Sequence, residues 1–162
     1  MKYRFFCEKN PVTGDFYCDV ELAEPIPPDS PPWHLLVFLK AEVRAGLEYY
    51  NRRRSDKELA ERIGEWDGDW TDFIYEVIKN PQRKLETDVG NAYMLSNDGL
   101  TILVTCYYED PENNTQRFKA WELLRAIFAW KEYRWAVRCG RREPFEIEIE
   151  DEGWESRPDL GY

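Results

Sequence analysis

The sequence predicts an α+β domain in which a mostly antiparallel sheet of about five strands carries about four helices on one face. Three observations lead to this prediction. Two pairs of short alternating segments are each joined by strong turn residues, as in β-hairpins. Residues 117–139 show helical apolar spacing and contain no proline or glycine. Strands and helices occur in separate runs along the chain, which is typical of antiparallel sheets.

The first predicted hairpin comprises residues 3–8 and 15–22, joined by the turn residues Asn-Pro-Val-Thr-Gly. In both segments apolar and polar residues alternate, which predicts one buried face. The residues on that face are Tyr3, Phe5, Cys7, Phe16, Cys18, Val20 and Leu22. A proline-rich connector over residues 24–32 then leads from the sheet to the helices.

Three helices are predicted next, over residues 32–54, from Asp56 to near Gly64, and over residues 71–80. The apolar stripe of the first contains Leu35, Leu36, Leu39, Val43, Leu47 and Tyr50. The only histidine, His34, lies in its first turn. Because no second histidine or cysteine is near it in sequence, a metal-binding role is not expected.

The second hairpin joins residues 92–95 to residues 100–108 through the turn Ser96-Asn97-Asp98-Gly99, and its apolar second strand should be central. The long helix over residues 117–139 ends before Gly140, a residue type common just past a helix end. Its apolar residues Phe118, Trp121, Leu124, Phe128 and Trp135 recur at helical spacings. Ala120, Leu123, Ile127 and Trp130 extend this surface sideways, so a wide apolar arc is expected. A last strand is predicted where Phe145, Ile147 and Ile149 alternate with glutamates.

The composition suits one folded domain, since 43% of the 162 residues are hydrophobic and 33% are charged. We predict a single domain over residues 1–150, followed by a mobile acidic tail over residues 151–162. The N-terminal residues are too polar for a signal peptide, and no run approaches the roughly 18 apolar residues of a membrane span. A cytoplasmic protein without membrane contact is therefore expected.

The four cysteines, Cys7, Cys18, Cys106 and Cys139, are widely spaced and form no C-x-x-C pair. A zinc ribbon and a thioredoxin-type motif are therefore excluded. Cys7 and Cys18 can face each other across the first hairpin. A disulfide between them is one alternative, but the expected reducing compartment favours two packed thiols.

The formal net charge of -10 disfavours nucleic acid as a partner and favours a basic protein. The predicted partner-binding residues are Glu146, Glu148, Glu150, Asp151, Glu152, Trp154, Asp67 and Asp69. A second acidic face, with Asp15, Asp19 and Glu21, is expected on the first hairpin. The alternative interpretation is that these carboxylates form only a solvated sheet surface.

Asp67 and Asp69 lie in the short stretch Trp66-Asp67-Gly68-Asp69-Trp70, whose carboxylates could bind a cation or a basic side chain. An EF-hand is excluded because its twelfth position is Ile78. The alternative is a turn between helices, with both tryptophans in the core and the aspartates as caps. A separate phosphate-binding alternative uses Arg52, Arg53, Arg54, Arg138, Arg141 and Arg142.

The nucleophile elbow, phosphate loop, Rossmann and zinc motifs are all absent, so neither catalysis nor a cofactor nor a metal is expected. The alternative is an enzyme that uses Asp67 and Asp69 with a divalent ion. In size, acidity and α+β layout the chain is similar to small bacterial immunity proteins that neutralise polymorphic toxins, and to phage-encoded inhibitors of host defence. This resemblance carries no residue-level signature. It implies an acidic inhibitor of a basic toxin or nuclease. The alternatives are a phage-type inhibitor of a host nucleic-acid-binding complex, and a phosphate- or nucleic-acid-binding module.

Overall fold

A computed structural model of the chain describes residues 1–31, 33–43, 70–87, 92–108 and 112–157. These residues form two antiparallel sheets, with three α-helices and one π-helical turn beside them, so the predicted α+β class is confirmed. The strands are β1 (Lys2–Lys9), β2 (Phe16–Leu22), β3 (Tyr93–Asp98), β4 (Thr101–Cys106), β5 (Thr115–Lys119), β6 (Phe145–Glu148) and β7 (Trp154–Glu155). The helices are α1 (His34–Phe38), α2 (Trp70–Lys79) and α3 (Ala120–Arg138), and the π-helical turn is Leu39–Val43.

The first sheet has the strand order β2-β1-β6. The predicted first hairpin is confirmed: β1 and β2 pair with Tyr3 opposite Leu22 and Phe5 opposite Val20. Tyr3, Phe5 and Val20 are buried against the core, whereas Phe16 near the turn is 43% exposed. The predicted alternation therefore holds along the hairpin until the strands approach their turn.

The second sheet has the strand order β3-β4-β5-β7. Its first two strands form the predicted second hairpin, and β4 lies between β3 and β5, as its apolar sequence predicts. The loop is shorter than expected, because Ser96, Asn97 and Asp98 belong to β3 and only Gly99 and Leu100 turn. Gly99 has a φ of 62°, a conformation that glycine adopts at no steric cost.

The prediction of one sheet of about five strands is wrong, because the described residues form two sheets with seven strands. The two missed strands are β5 and β7. The sequence predicts a loop and a helix start at β5, because TQRFK is polar and short. β7 has two residues, and its pairing with β5 depends on tertiary contacts that no local pattern reveals.

Residues 145–155 pass from the first sheet to the second. After β6, the amide N–H of Ile149 donates to the Met1 carbonyl at 2.9 Å, which continues the pairing with β1. Further along, Arg117 in β5 donates to the Gly153 carbonyl at 2.9 Å and accepts from the Glu152 amide at 2.8 Å. Gly153 has a φ of 94° at this bend. One segment therefore joins the two sheets.

Helix α3 contacts strands of both sheets. It begins at Ala120 rather than at residue 117, because residues 115–119 pair with β4 and the Ala120 amide donates to the Leu100 carbonyl at 2.9 Å. At its other end Gly140 has a φ of 108°, and the amides of Gly140 and Arg141 donate to Val137 and Ala136. These bonds form a Schellman motif, as the position of Gly140 predicts.

The predicted wide apolar arc of α3 is buried on the side of Ala120, Leu123, Ile127 and Trp130, whereas its other side is largely exposed. Phe118 is buried but belongs to β5, and the exposed fractions of Trp121, Phe128 and Trp135 are 50%, 40% and 66%. The residues of α3 that are buried are Ala120, Leu123, Ala126, Ile127, Trp130, Tyr133 and Val137.

The count of about four helices is not matched among the described residues, which contain three α-helices. The predicted helix beginning at Asp56, and Leu47 and Tyr50 of the first predicted stripe, lie outside those residues. Within them, α1 and the π-helical turn bury Leu35, Phe38, Leu39 and Val43. In α2, Trp70 is buried and its ring meets Phe38 edge-on at 5.1 Å, as a core position for this tryptophan predicts.

Buried side chains from both sheets and all three helices form one hydrophobic core. At the C-terminal end of the described residues, Asn114 accepts from the Arg157 amide at 2.9 Å and donates to its carbonyl at 3.1 Å. Residues 158–162 lie outside the described residues. The domain boundary at residue 150 and the mobility of the tail stay predictions.

Candidate functional site

The outer face of the first sheet brings together acidic residues of the first hairpin and acidic residues of β6, which are far apart in sequence. Along β1, the side chains opposite the core alternate with the buried ones, and β2 and β6 present their polar residues on the same side. We call this surface the acidic face and define it by its charged residues. They are Lys2, Arg4, Glu8, Asp19, Glu21, Glu146 and Glu148.

The two cations of the acidic face lie on the middle strand, between carboxylates on both sides. Arg4 is opposite Glu21 on β2 and Glu146 on β6, and its guanidinium is 3.4 Å from the Glu21 carboxylate. Lys2 is 4.0 Å from Glu146. Such cross-strand pairs stabilise a sheet modestly. Lys40 of the π-helical turn also pairs with Asp19 at 2.9 Å, so five carboxylates meet three cations and the acidic face keeps a net negative charge.

The carboxylates also affect a phenol on this face. The Tyr17 hydroxyl donates to Glu8 at 2.5 Å. This hydrogen bond to the Glu8 carboxylate raises the pKa of Tyr17, with smaller contributions from desolvation and from the charges of Glu8 and Asp19. Tyr17 and Phe6 give the acidic face partly exposed rings among its charges.

Of the predicted partner-binding residues, Glu146 and Glu148 lie on the acidic face and are exposed, and Glu150 follows them as an exposed residue. Asp151 lies elsewhere: it accepts from the Gln116 side chain at 2.8 Å, and Gln116 is fully buried. Glu152 accepts from the Thr101 hydroxyl at 2.6 Å, beside the second sheet.

Trp154, the aromatic residue predicted to anchor a partner, is only partly exposed and belongs to β7. Its ring meets Trp33 edge-on at 5.0 Å between centroids. The remaining predicted residues, Asp67 and Asp69, lie outside the described residues. The structure therefore brings Glu146, Glu148 and the hairpin carboxylates together, and places Asp151, Glu152 and Trp154 on other surfaces.

The first turn of α3 fixes the backbone that follows β6. Glu122 accepts from the Glu150 amide at 3.1 Å, and Arg125 donates to the Glu148 carbonyl at 2.5 Å. The two side chains also form an ion pair of 2.7 Å. Partial burial opposes ionisation of Glu122, but the hydrogen bonds from Arg125 and the Glu150 amide outweigh it and lower the pKa of Glu122.

The predicted phosphate-binding arginines are only partly described. Arg141 donates to the carbonyls of Glu143 and Pro144, and lies 5.5 Å from the Tyr133 ring centroid. Arg142 lies 3.8 Å from the Phe16 ring and donates to two backbone carbonyls. Arg138 is exposed at the end of α3. The triplet Arg52, Arg53 and Arg54 lies outside the described residues.

A cleft of about 560 Å³ lies on the outer face of the second sheet, and sequence reasoning missed it. Arg117 lines it and is ion-paired with Glu155 and 3.9 Å from Asp98. Lys84 pairs with Asp98 at 2.7 Å, and Arg157 donates to a serine hydroxyl at 2.8 Å. The cations are largely compensated, so the cleft is polar without a strong net charge. It escaped prediction because its lining residues come from several separate segments, including Arg117 of β5 and Glu155 of β7, which only tertiary contacts bring together.

Within the described ranges, no group of three or more His, Cys, Asp or Glu side chains is arranged to hold a metal ion. None of the described helices is both long enough and apolar enough to cross a membrane. No protein-family model, curated protein or solved structure matches this chain.

Proposed function

We propose that this protein is a binding module that inhibits a basic protein partner, most simply as an immunity protein that neutralises a toxin or nuclease. The observation that supports this proposal is the acidic face, where carboxylates from β1, β2 and β6 form one exposed surface. The paired strands hold the backbone of these residues, so binding of a partner has to order only their side chains. The partner's working surface would be rich in lysine and arginine.

The physical basis of the proposal is electrostatic complementarity. Successive glutamates of β6 are about 6.8 Å apart, twice the rise per residue of an antiparallel strand. The carboxylates of β2 lie two strands away from those of β6, at about 9.6 Å, with Lys2 and Arg4 of β1 between them. Such an array attracts a surface that normally binds phosphates, accelerates encounter and occupies the site. The net charge of -10 adds long-range attraction of the same sign.

The alternative of a phage-type inhibitor uses the same acidic face against a host nucleic-acid-binding complex. The phosphate-binding alternative has less support from the described residues. Arg141 and Arg142 are engaged with aromatic rings and backbone carbonyls, and the acidic face repels phosphate.

The test is co-expression of this protein with a basic toxin or nuclease encoded by the adjacent gene, followed by measurement of the dissociation constant and of nuclease activity. We expect a complex and loss of toxicity. The double variant Glu146→Lys, Glu148→Lys should weaken binding about 10- to 100-fold, because like charges then face the partner.

The matched control is the double variant Glu76→Lys, Glu112→Lys, which changes the net charge equally at exposed positions away from the acidic face. It should alter affinity much less than the test variant. If both double variants weaken binding equally, overall charge rather than the acidic face drives binding. If the adjacent gene product does not bind the wild-type protein, inhibition of that product is excluded.

A further inference from the structure

Cys7 and Cys18 lie directly opposite each other in the pairing of β1 with β2, and both are reduced. In an antiparallel pair, residues that are directly opposite point to the same side of the sheet. Both side chains therefore lie on the core side, where each is partly buried and packs against the core. Two thiols are thus neighbours although ten residues separate them in sequence.

The hydrogen-bond phase of the hairpin decides how closely the two residues approach. At the two ends of the same register, the Ala23 amide donates to the Lys2 carbonyl at 2.9 Å and the Asn10 amide donates to the Asp15 carbonyl at 2.7 Å. Hydrogen-bonded and non-hydrogen-bonded pairs alternate along an antiparallel ladder. Even-numbered positions of β1 are therefore hydrogen-bonded, and Cys7 occupies a non-hydrogen-bonded position.

Residues in a non-hydrogen-bonded pair have Cα atoms about 4.5 Å apart, with their side chains closer than in the hydrogen-bonded pairs. Disulfides join residues whose Cα atoms are about 4.4–6.8 Å apart. The backbone of the hairpin thus satisfies this separation for Cys7 and Cys18 without moving.

Groups around the pair connect it to the end of α3. The Cys7 sulfur is 3.7 Å from the Arg142 carbonyl oxygen and 4.0 Å from that of Arg141, so its S–H can donate to either. Tyr133 of α3 is adjacent: burial, followed by the neighbouring Cys7 and Cys18 sulfurs, raises the pKa of Tyr133 to about 12.

We propose that Cys7 and Cys18 form a thiol-oxidation site that closes reversibly to a disulfide by exchange with a small-molecule disulfide such as oxidised glutathione. One cysteine, as the thiolate, attacks the small disulfide and releases one glutathione thiolate, which takes up a proton. The second cysteine then attacks the sulfur of the resulting mixed disulfide and releases the second glutathione. Two protein thiols are oxidised, and one small disulfide is reduced to two thiols.

Closure of the disulfide has two structural consequences. It removes the Cys7 S–H that faces the carbonyl oxygens of Arg141 and Arg142, so the turn after α3 loses a contact with β1. It also covalently links the two strands that carry the hairpin part of the acidic face. The thiol-oxidation site does not depend on the proposed function, since the register of the hairpin alone defines it.

The test uses the full-length Cys139→Ser variant, which lacks the exposed competing thiol, together with the wild-type protein. Each is equilibrated in buffers with different ratios of reduced to oxidised glutathione, then alkylated and mapped by peptide mass spectrometry. We expect residues 7 and 18 to lose alkylation together, a peptide that links them, and full reversal on adding reduced glutathione. In Cys7→Ser, we expect Cys18 to retain bound glutathione instead.

Two outcomes would overturn the proposal. In one, both cysteines of the folded protein remain fully alkylated in the most oxidising buffer. In the other, each carries its own glutathione and no linked peptide forms. A Cys7→Ser, Cys18→Ser variant, checked by circular dichroism, shows whether the fold tolerates the loss of both thiols. If that variant does not fold, the alkylation map of the wild-type protein still decides between the outcomes.

Discussion

Glu122 connects α3 to the backbone just after β6. Its side chain is 15% exposed and receives hydrogen bonds from Arg125 and from the Glu150 amide. Its pKa is lowered, so the folded protein favours the ionised carboxylate. The contribution to stability is therefore present at neutral pH and is lost as the pH falls through the pKa of the folded state.

Replacing Glu122 with glutamine should reduce the free energy of unfolding by about 1 kcal/mol at pH 7, because an amide oxygen accepts more weakly than a carboxylate. The difference from wild type should shrink as the pH falls below the ordinary glutamate pKa of about 4.3. Urea unfolding at several pH values between neutral and acidic measures the loss of unfolding free energy at pH 7 and its change with pH. Glu132→Gln, at an exposed site on the same helix, is the control. A difference that does not change with pH would show that ionised Glu122 contributes nothing.

Gly153 allows the bend at which the chain changes from one sheet to the other. Its φ is 94°, and apart from its two chain neighbours no residue has an atom within 4 Å of where a Cβ would be placed. Any loss of unfolding free energy on adding a side chain at residue 153 must therefore come from the strained backbone conformation. Gly153→Ala should lower the unfolding free energy by about 1–2 kcal/mol, and Gly153→Asn by less, because asparagine tolerates left-handed conformations. Equal stability of all three proteins, measured by urea unfolding, would contradict this explanation.

At the scale of elements, α3 has apolar residues on two sides, and only one faces the core. Trp130 is fully buried and meets Phe5 edge-on at 5.2 Å, whereas Trp135 is 66% exposed. The helical spacing of apolar residues predicted the helix but could not select the side. Tertiary contacts select it, because β5 ends where α3 begins and sets the direction of the first helical residue.

The two tryptophans should therefore respond differently to truncation. Trp130→Ala should lower the free energy of unfolding by about 3–5 kcal/mol, because it leaves a cavity in the core. Trp135→Ala should change it by less than about 0.5 kcal/mol, as expected for an exposed residue. Chemical denaturation of the two variants measures this contrast. Similar losses would mean that the assigned phase of α3 is incorrect.

The sequence predicts both hairpins and the alternation of β6 well, because each depends on local turn chemistry and period-two patterning. It predicts the carboxylates of β2 and of β6 as separate acidic surfaces. The pairing of β1 with β6 unites them, and this contact joins residues more than a hundred positions apart. The pairing of β5 with β7 likewise brings Arg117 and Glu155 together in the cleft of the second sheet. Local sequence patterns therefore do not predict which distant strands pair, and this pairing determines which side chains form the acidic face and the cleft.

At the scale of the whole molecule, the two sheets share one hydrophobic core and are joined by residues 145–155. We expect them to unfold together. Urea unfolding followed by tryptophan fluorescence and by far-ultraviolet circular dichroism should give coincident two-state transitions. Two separate transitions would show that the sheets are independent units, despite their common core.

The joining segment also affects the order of events during synthesis. β1 leaves the ribosome early and β5 later, but each acquires its partner from residues 145–155 only after α3 has emerged. Until then the nascent chain exposes an unpaired edge on both sheets, where other chains could add strands. Chaperone protection should therefore matter most in the interval between the emergence of β5 and the docking of this segment.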